Sequence, residues 1–197
     1  MRARTRKLKT YELPERLVAD LKKSRKFRIV GADLSLSYPA WALLECDVQN
    51  RRVELIRTVS CDNRQKTTAT VGERLVSIAN RFIQHIYGVK IAIYCRERAF
   101  SKYATETQNL NKVVGVMDYI IASRRHRQWL ELPPTTVKCT VARSGKADKN
   151  AVARATMLYV GEQKYPTDNE SDAVAVALAA LIKYGFIDAK NTDFLTV

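Results

Sequence analysis

The sequence predicts a single α/β domain, with a mixed five-stranded sheet flanked by helices. A length of 197 residues suits one domain. Apolar residues make up 46% of the chain and charged residues 27%, as in ordinary globular proteins. Strand-like and helical segments follow one another in the order three strands, helix, strand, helix, strand, helix, helix. This alternation is typical of a sheet covered by helices.

The first predicted elements form a meander followed by a helix and a buried strand. The run FRIVGAD at residues 27–33 is short and apolar, and AWALLEC and RRVELIRTV follow it as two more strand-like stretches. Residues 71–86 place apolar side chains on one stripe at helical spacing, and Gly88 is expected to end that helix. The run VKIAIYC is almost continuously apolar, which predicts a strand buried on both faces.

The second half of the chain is predicted to be mostly helical. Residues 105–122 form the next helix, and WLEL and TVKCTV are interpreted as short extended pieces around Pro133 and Pro134. Asp148 is a good N-cap for the helix KNAVARATMLYV. Thr167 and Glu170 predict a capping box at the start of the last helix.

Three regions are expected along the chain: a basic N-terminal arm (1–27), a folded domain (28–186) and a C-terminal tail (187–197). The arm has a surplus of seven positive charges, which is half of the net charge of +14. Its first nine residues are expected to be flexible, and residues 13–21 to form a short helix that starts at Pro14. The arm either contacts nucleic acid or only solubilises the protein.

The charge balance and the cysteine pattern exclude several classes of protein. A pI near 9.8 predicts attraction to a polyanion such as nucleic acid, against the alternative of a solvated basic surface. No segment has the apolar length of a membrane span or the pattern of a secretory signal, so a cytoplasmic protein is expected. Four separated cysteines without a CxxC pair, and only two histidines, leave carboxylates as the ligands for any metal.

Three carboxylates lie where a buried charge is costly. Asp33 ends the first strand, Glu97 ends the strand VKIAIYC, and Asp172 interrupts the apolar stripe of the last helix, one turn after Asp168. Each also has a plain structural explanation. In that explanation, Asp33 would cap a turn, and Glu97 would join a surface cluster with the neighbouring arginines. Asp172 would be stabilised by the helix dipole.

Converging carboxylates without histidines suit two hard cations such as Mg²⁺, which take oxygen ligands. Two such ions about 3.5 to 4 Å apart activate a water molecule and stabilise the leaving oxygen of a phosphodiester. Together with a basic surface that holds the nucleic-acid backbone, this predicts metal-dependent phosphodiester hydrolysis.

Four sequence blocks in a fixed order carry a family resemblance. They are IVGADLSLS, RERAF, VKCTVARSGKADKNAV and DNESDAVAVALAAL, which together span residues 29–178. With these blocks the chain resembles the RuvC family of Holliday junction resolvases, within the RNase H-like superfamily. The resemblance implies an RNase H-like fold.

The resemblance also implies a set of metal ligands. Asp33, Glu97 and Asp172 match the acidic residues that bind two Mg²⁺ ions per active site in that family, where Mn²⁺ can replace Mg²⁺. The family's fourth ligand lies three residues before the last aspartate, where this chain has Asn169. We expect Asp168 to be the fourth ligand instead, with Asn169 and Glu170 as alternatives.

Further residues are assigned to DNA by the same resemblance. Lys138 and Lys149 match lysines that contact or activate the scissile phosphate, so they join the four carboxylates as catalytic residues. Phe100 matches an aromatic wedge that stacks on a base, against the alternative of core packing. Arg96, Arg98 and Lys102 surround that block and are expected to bind DNA.

The expected function is therefore Mg²⁺-dependent resolution of Holliday junctions or other branched DNA, by a homodimer that makes paired symmetric nicks. The helix at 105–122 is the candidate dimer surface. The segment DLSLSYPAWA replaces the family's glycine-rich stretch, and the basic arm has no counterpart in compact bacterial members. A phage-type or plasmid-type enzyme acting in bacterial or infected-host cytoplasm is thus expected, with an organelle left open.

Two other functions remain open at this point. One is a different RNase H-like nuclease, acting on flaps or RNA–DNA hybrids. The other is a non-catalytic protein that binds branched DNA.

Overall fold

The structure is a computed structural model, which describes residues 12–65, 68–98, 104–124 and 129–192. Its helices are α1 (Glu15–Lys23), α2 (Val71–Ile86), α3 (Ala104–Ser123), α4 (Pro134–Ala142), α5 (Lys149–Val160) and α6 (Asp168–Lys183). Its strands are β1 (Lys26–Asp33), β2 (Ala40–Asp47), β3 (Arg52–Ser60), β4 (Ile93–Glu97) and β5 (Leu130–Leu132). The predicted residues Phe100 and Lys102 lie outside the described residues.

The five strands form one mixed sheet in the order β3-β2-β1-β4-β5, which confirms the predicted fold class. The meander β1–β2–β3 is antiparallel, and β4 pairs parallel to both β1 and β5. Ala32 pairs with Arg96 in the β1–β4 ladder. Because the ladder is parallel, the next residues, Asp33 and Glu97, leave the sheet side by side at the same edge.

Helices cover both faces of the sheet and enclose two hydrophobic cores. The first core joins α4, α5 and α6 to strand residues such as Ile29 and Ile93. The second joins α2 and α3 to strand residues such as Val30 and Tyr94. Since side chains alternate along a strand, Asp33 and Glu97 lie on the α6 face, and Arg96 lies on the α3 face.

Helix α6 lies directly on β1 because Gly31 has no side chain. A Cβ atom at Gly31 would meet the carbonyl oxygen of Ala173 and would lie 2.8 Å from the backbone nitrogen of Ala177. The alanines of α6 are buried along the same contact. This close approach fixes the height of α6 above the strand that ends in Asp33.

One predicted element is wrong, and two others are confirmed with small changes. The segment TVKCTV is helical, not extended, since Pro134 occupies the first turn of α4, where its fixed φ favours a helix. The segment WLEL contains β5, as predicted. Asp148 caps α5 by accepting a hydrogen bond from the backbone nitrogen of Ala151 at 2.7 Å.

Helix α1 begins after Pro14, as predicted, and contacts the domain. Leu21 is buried in the first core, and Leu17 packs against the same core. Lys183 at the end of α6 forms an ion pair with Glu12 at 3.1 Å. Helix α1 of the expected basic arm thus packs on the first core, and the last two residues of that arm already belong to β1.

None of the described helices combines the length and the apolarity that crossing a membrane requires.

Candidate active site

Asp33, Glu97 and Asp172 meet at one edge of the sheet. Asp33 and Glu97 end the adjacent parallel strands β1 and β4, and Asp172 lies in the second turn of α6, which crosses above them. All three side chains are partly buried. The sequence prediction that these three carboxylates converge agrees with their placement.

The three carboxylates repel one another. Burial, together with the negative charges of Asp172 and Glu97, raises the pKa of Asp33 to about 7, against the opposing effect of Lys149. Burial, followed by the charge of Asp172, raises the pKa of Glu97 to about 7. Burial also raises the pKa of Asp172, while Lys149 and Lys138 lower it. The site therefore carries more negative charge than Lys138 and Lys149 neutralise.

No hydrogen bond from a described residue satisfies these three carboxylates. In the same part of the chain, no three His, Cys, Asp or Glu side chains are arranged to enclose a metal ion by themselves. Mg²⁺ is commonly held by one or two carboxylates together with water and substrate phosphate, rather than by a complete protein cage. Unpaired carboxylates at an open edge fit that mode of binding.

Two lysines lie next to the carboxylates. A small cleft of about 100 Å³ is lined by Glu97, Lys138, Lys149 and Asp172 among others. The Lys138 ammonium donates a hydrogen bond to the carbonyl oxygen of Ala147 at 2.8 Å, which links α4 to the segment before α5. The Lys149 ammonium lies 3.5 Å from the Asp168 carboxylate, and both side chains are exposed.

The first turn of α6 separates the candidates for a fourth ligand. Asp168 is exposed beside Lys149 and is close enough to raise the pKa of Asp172. Glu170 is buried and accepts a hydrogen bond from the backbone nitrogen of Thr167 at 2.9 Å, so it belongs to the capping box and not to the site. The Asn169 amide donates to the carbonyl oxygen of Tyr38 at 2.6 Å.

The predicted DNA contact of Arg96 is wrong. Its side chain is only 5% exposed and forms ion pairs with Asp118 of α3 at 2.6 Å and Glu131 of β5 at 2.7 Å. The reason is strand alternation, which turns Arg96 away from the carboxylate face. Arg98 is exposed just beyond β4, and its backbone nitrogen donates to Leu132 at 2.8 Å.

Sequence reasoning missed two features of this region. The hydrogen bond between Asn169 and Tyr38 joins segments 131 positions apart, and no local sequence pattern predicts it. The pairing of Arg96 with Asp118 and Glu131 was detectable only in part. A charged residue inside an apolar strand is expected to have a partner of opposite charge, but the sequence does not identify that partner.

A family model and individual proteins match most of this chain in sequence. The family model described as "Crossover junction endodeoxyribonuclease RuvC" matches residues 29–180. A protein of the same description from Prochlorococcus marinus subsp. pastoris is 31% identical over 161 residues, which cover 81% of this chain and 99% of that protein. Another from Synechococcus sp. is 32% identical over 158 residues, covering 78% and 97% respectively.

The fold agrees with a solved structure described as T. thermophilus RuvC in complex with Holliday junction substrate. The TM-score is 0.71 at 16% identity, and the alignment covers 83% of this chain and 99% of that chain. The expectation of an RNase H-like fold of the RuvC type is thereby confirmed.

Proposed function

The chain belongs to the family of crossover junction endodeoxyribonuclease RuvC, and from that premise we propose that it resolves Holliday junctions as a divalent-metal-dependent DNA endonuclease. The observation that carries the proposal is the group of three unpaired, mutually repelling carboxylates, Asp33, Glu97 and Asp172, at an open edge of the sheet. A purely structural protein gains nothing from burying charges in this way.

These carboxylates would hold two Mg²⁺ ions, with Asp168 as the fourth ligand and Mn²⁺ as a substitute. When bound there, the ions supply the positive charge that activates a water nucleophile and stabilises the leaving oxygen. Without that charge, repulsion disfavours the fully ionised site, in keeping with the raised pKa values of Asp33 and Glu97. The ionised form is therefore stabilised by whatever cation enters.

The lysines act on the substrate. Lys149 is exposed beside Asp168, where its ammonium is available to a phosphate oxygen of the strand to be cut. Lys138 is held by Ala147, so its ammonium keeps a fixed position next to Glu97. Arg98, Phe100 and Lys102 are proposed to contact the DNA around the branch point. A net charge of +14 favours binding of the remaining backbone.

Paired symmetric nicks require two active sites, so we further propose a homodimer. Helix α3 is the candidate interface. Its Tyr119 is 75% exposed, and tyrosine is enriched at protein–protein interfaces. Within each subunit, residues 28–186 would form the nuclease domain.

The decisive experiment compares cleavage of a labelled four-way junction, a linear duplex, a flap and an RNA–DNA hybrid, each with Mg²⁺ and with a chelator. Symmetric nicks on the junction alone, and only with metal, are expected. Preference for the hybrid or flap would instead identify a different RNase H-like nuclease. Tight junction binding without nicking in any divalent metal would leave a branched-DNA-binding protein.

A further inference from the structure

An exposed arginine stacked on an aromatic ring lies beside the carboxylates and has no part in the chemistry described above. The Arg64 guanidinium carbon is 4.3 Å from the centre of the Tyr38 ring. The Arg64 side chain is 60% exposed. Tyr38 belongs to the turn at residues 34–39, which begins directly after Asp33.

This stacked pair is fixed relative to the active site. The carbonyl oxygen of Tyr38 accepts the hydrogen bond from Asn169, which lies three residues before Asp172 in α6. The backbone nitrogen of Tyr38 donates to the Ser35 hydroxyl at 2.9 Å. The backbone nitrogen of Asn63 donates to the carbonyl oxygen of Ser37 at 2.8 Å. These bonds tie the turn to α6 and to the segment that follows β3.

The pair also lies on the side of Asp33 away from Glu97 and Lys138. Tyr38 leads into β2 and Arg64 follows β3, whereas Lys138 lines the cleft beside Glu97 at the end of β4. In the sheet, β2 and β3 are on one side of β1 and β4 is on the other. A strand that passes over Asp33 therefore meets Lys138 on one side and the Tyr38–Arg64 pair on the other.

The hydrogen bonds of Arg64 determine what the pair is able to bind. Its Nε and Nη2 atoms donate to the Asp62 carboxylate at 3.0 and 2.8 Å, so the fork that would grip a phosphate is already occupied. The Arg64 side chain is nevertheless largely exposed. A flat cation held in place by an aromatic ring is suited to stacking against a nucleobase.

We propose that the Tyr38–Arg64 pair stacks against a nucleobase of the cleaved strand, next to the cut phosphate and on the side of Asp33 opposite Glu97 and Lys138. The proposal rests on the proposed function, because it assumes that a DNA strand crosses the carboxylates. It assigns to the Tyr38–Arg64 pair a base contact beside the cut, and stacking of this kind accepts any base because every base has a flat face.

The test measures stacking separately from cleavage. Wild-type and Arg64→Ala chains, both with Asp33→Asn to keep the DNA intact, are mixed with junctions that carry 2-aminopurine at successive positions flanking the cut. We expect a fluorescence change at one flanking position that Arg64→Ala abolishes. We also expect Arg64→Lys to fail to restore it, because lysine keeps the charge and lacks the flat face.

With Asp33 intact, Arg64→Ala should lower kcat/KM for junction cleavage about fivefold or more, the loss expected for one stacked base. The salt dependence of binding should stay the same, because no phosphate contact is lost. Arg52→Ala is the matched control, since it removes an exposed arginine from the start of β3, at the opposite end of the sheet. It should leave both fluorescence and kcat/KM unchanged.

Two results would overturn the inference. One is the same fluorescence at every flanking position in the wild type and in a folded Arg64→Ala chain. Arg64 would then only form a surface ion pair with Asp62. The other is full restoration by Arg64→Lys, which would mean that charge alone matters. In either case wild-type junction cleavage stands, whereas absence of Mg²⁺-dependent nicking by the wild type would refute the proposed function itself.

Discussion

Arg96 and Glu97 are neighbours on β4, and they belong to opposite faces of the sheet with opposite electrostatics. On the α3 face, the buried Arg96 is paired with two carboxylates and lies 5.6 Å from the centre of the Trp129 ring. On the α6 face, Glu97 shares a partly buried site with Asp33 and Asp172, and no described residue pairs with any of them. One strand thus carries a neutralised charge and an unneutralised one in consecutive positions.

The difference teaches how to separate stabilising charges from functional ones in this fold. A buried charge with a complete set of partners holds elements together, and here Arg96 joins β4 to α3 and β5. A group of like charges left without partners costs stability, so it persists because something outside the chain completes it. Each face therefore makes its own experimental prediction.

The largest expected effect comes from Arg96→Met. Removing the guanidinium leaves the mostly buried Glu131 carboxylate without its partner, which should lower the free energy of unfolding by about 3 to 5 kcal/mol. Urea denaturation measures the change. Asp118→Asn is the milder control, because that side chain is 50% exposed and water is able to replace the pair. Equal stability of wild type and Arg96→Met would remove the proposed structural role.

The two faces should also respond to pH in opposite directions. His85 on α2 is buried, neither ring nitrogen has a hydrogen-bond partner in the described residues, and burial followed by the charges of Arg57 and Arg81 lowers its pKa to about 4. The unfolded state binds this proton more tightly, so stability is lost as pH falls from 6.5 towards 4. The full loss is about 3 kcal/mol.

Asp33 and Glu97 give the opposite slope. Because their folded pKa values are raised to about 7, their contribution to stability is complete below pH 4 and is lost as pH rises through 7. Urea denaturation across pH 4 to 8 in a chelator measures both slopes. The two contributions overlap between pH 4 and 6.5, where they partly cancel. His85→Leu should therefore make the loss of stability with rising pH steeper, and Asp33→Asn should make it shallower. An unchanged pH dependence in either variant would contradict the assignment.

The next effect concerns activity and stability together. Glu97→Gln keeps the shape of the side chain and removes a charge, so junction cleavage in Mg²⁺ should fall by at least about a hundredfold. The same change removes part of the repulsion with Asp172, so the melting temperature in a chelator at pH 8 should rise. A drop in both quantities would mean that Glu97 holds the fold together, as Arg96 does.

The sequence predicts the charged residues of the α6 face better than those of the α3 face. Strand ends and a carboxylate within an apolar helical stripe are local signals, so the sequence alone predicts that Asp33, Glu97 and Asp172 act together. The role of Arg96 was predicted wrongly, because its partners Asp118 and Glu131 are 22 and 35 positions away. The helix α4 was also missed, since the β-branched residues of TVKCTV favour a strand locally, and packing against α6 prevails.

A smaller effect is expected where the α6 face is assembled. In Gly31→Ala, the new methyl group would collide with the backbone of α6, and the helix that carries Asp172 must move away from β1. We expect a loss of about 1 to 3 kcal/mol in the free energy of unfolding, together with reduced cleavage. Gly72→Ala in α2 is the matched control, because a Cβ atom there meets only the Thr70 hydroxyl at 3.9 Å. Wild-type cleavage by Gly31→Ala would show that the site tolerates a shifted α6.

The smallest effect concerns Asn169. Asn169→Asp removes the hydrogen-bond donor to Tyr38 and places a carboxylate next to a carbonyl oxygen. The free energy of unfolding should therefore fall by about 1 kcal/mol. Cleavage should decrease slightly, with the same dependence on Mg²⁺ concentration. By contrast, Asp168→Asn should raise the Mg²⁺ concentration needed for cleavage. If Asn169→Asp instead lowered that concentration, position 169 would be the fourth ligand position.

The contact between Gly31 and α6 has a consequence for motion. Backbone against backbone leaves no side chain to change rotamer, so β1 and α6 are expected to move as one rigid body, and Asp33 keeps its spacing to Asp172. Lys138 and Lys149 lie on the separate helices α4 and α5, whose connection passes through the partly exposed segment at 143–146. Any change in the width of the cleft should therefore come from the lysine side, with slow amide exchange in β1 and α6 and faster exchange in that segment.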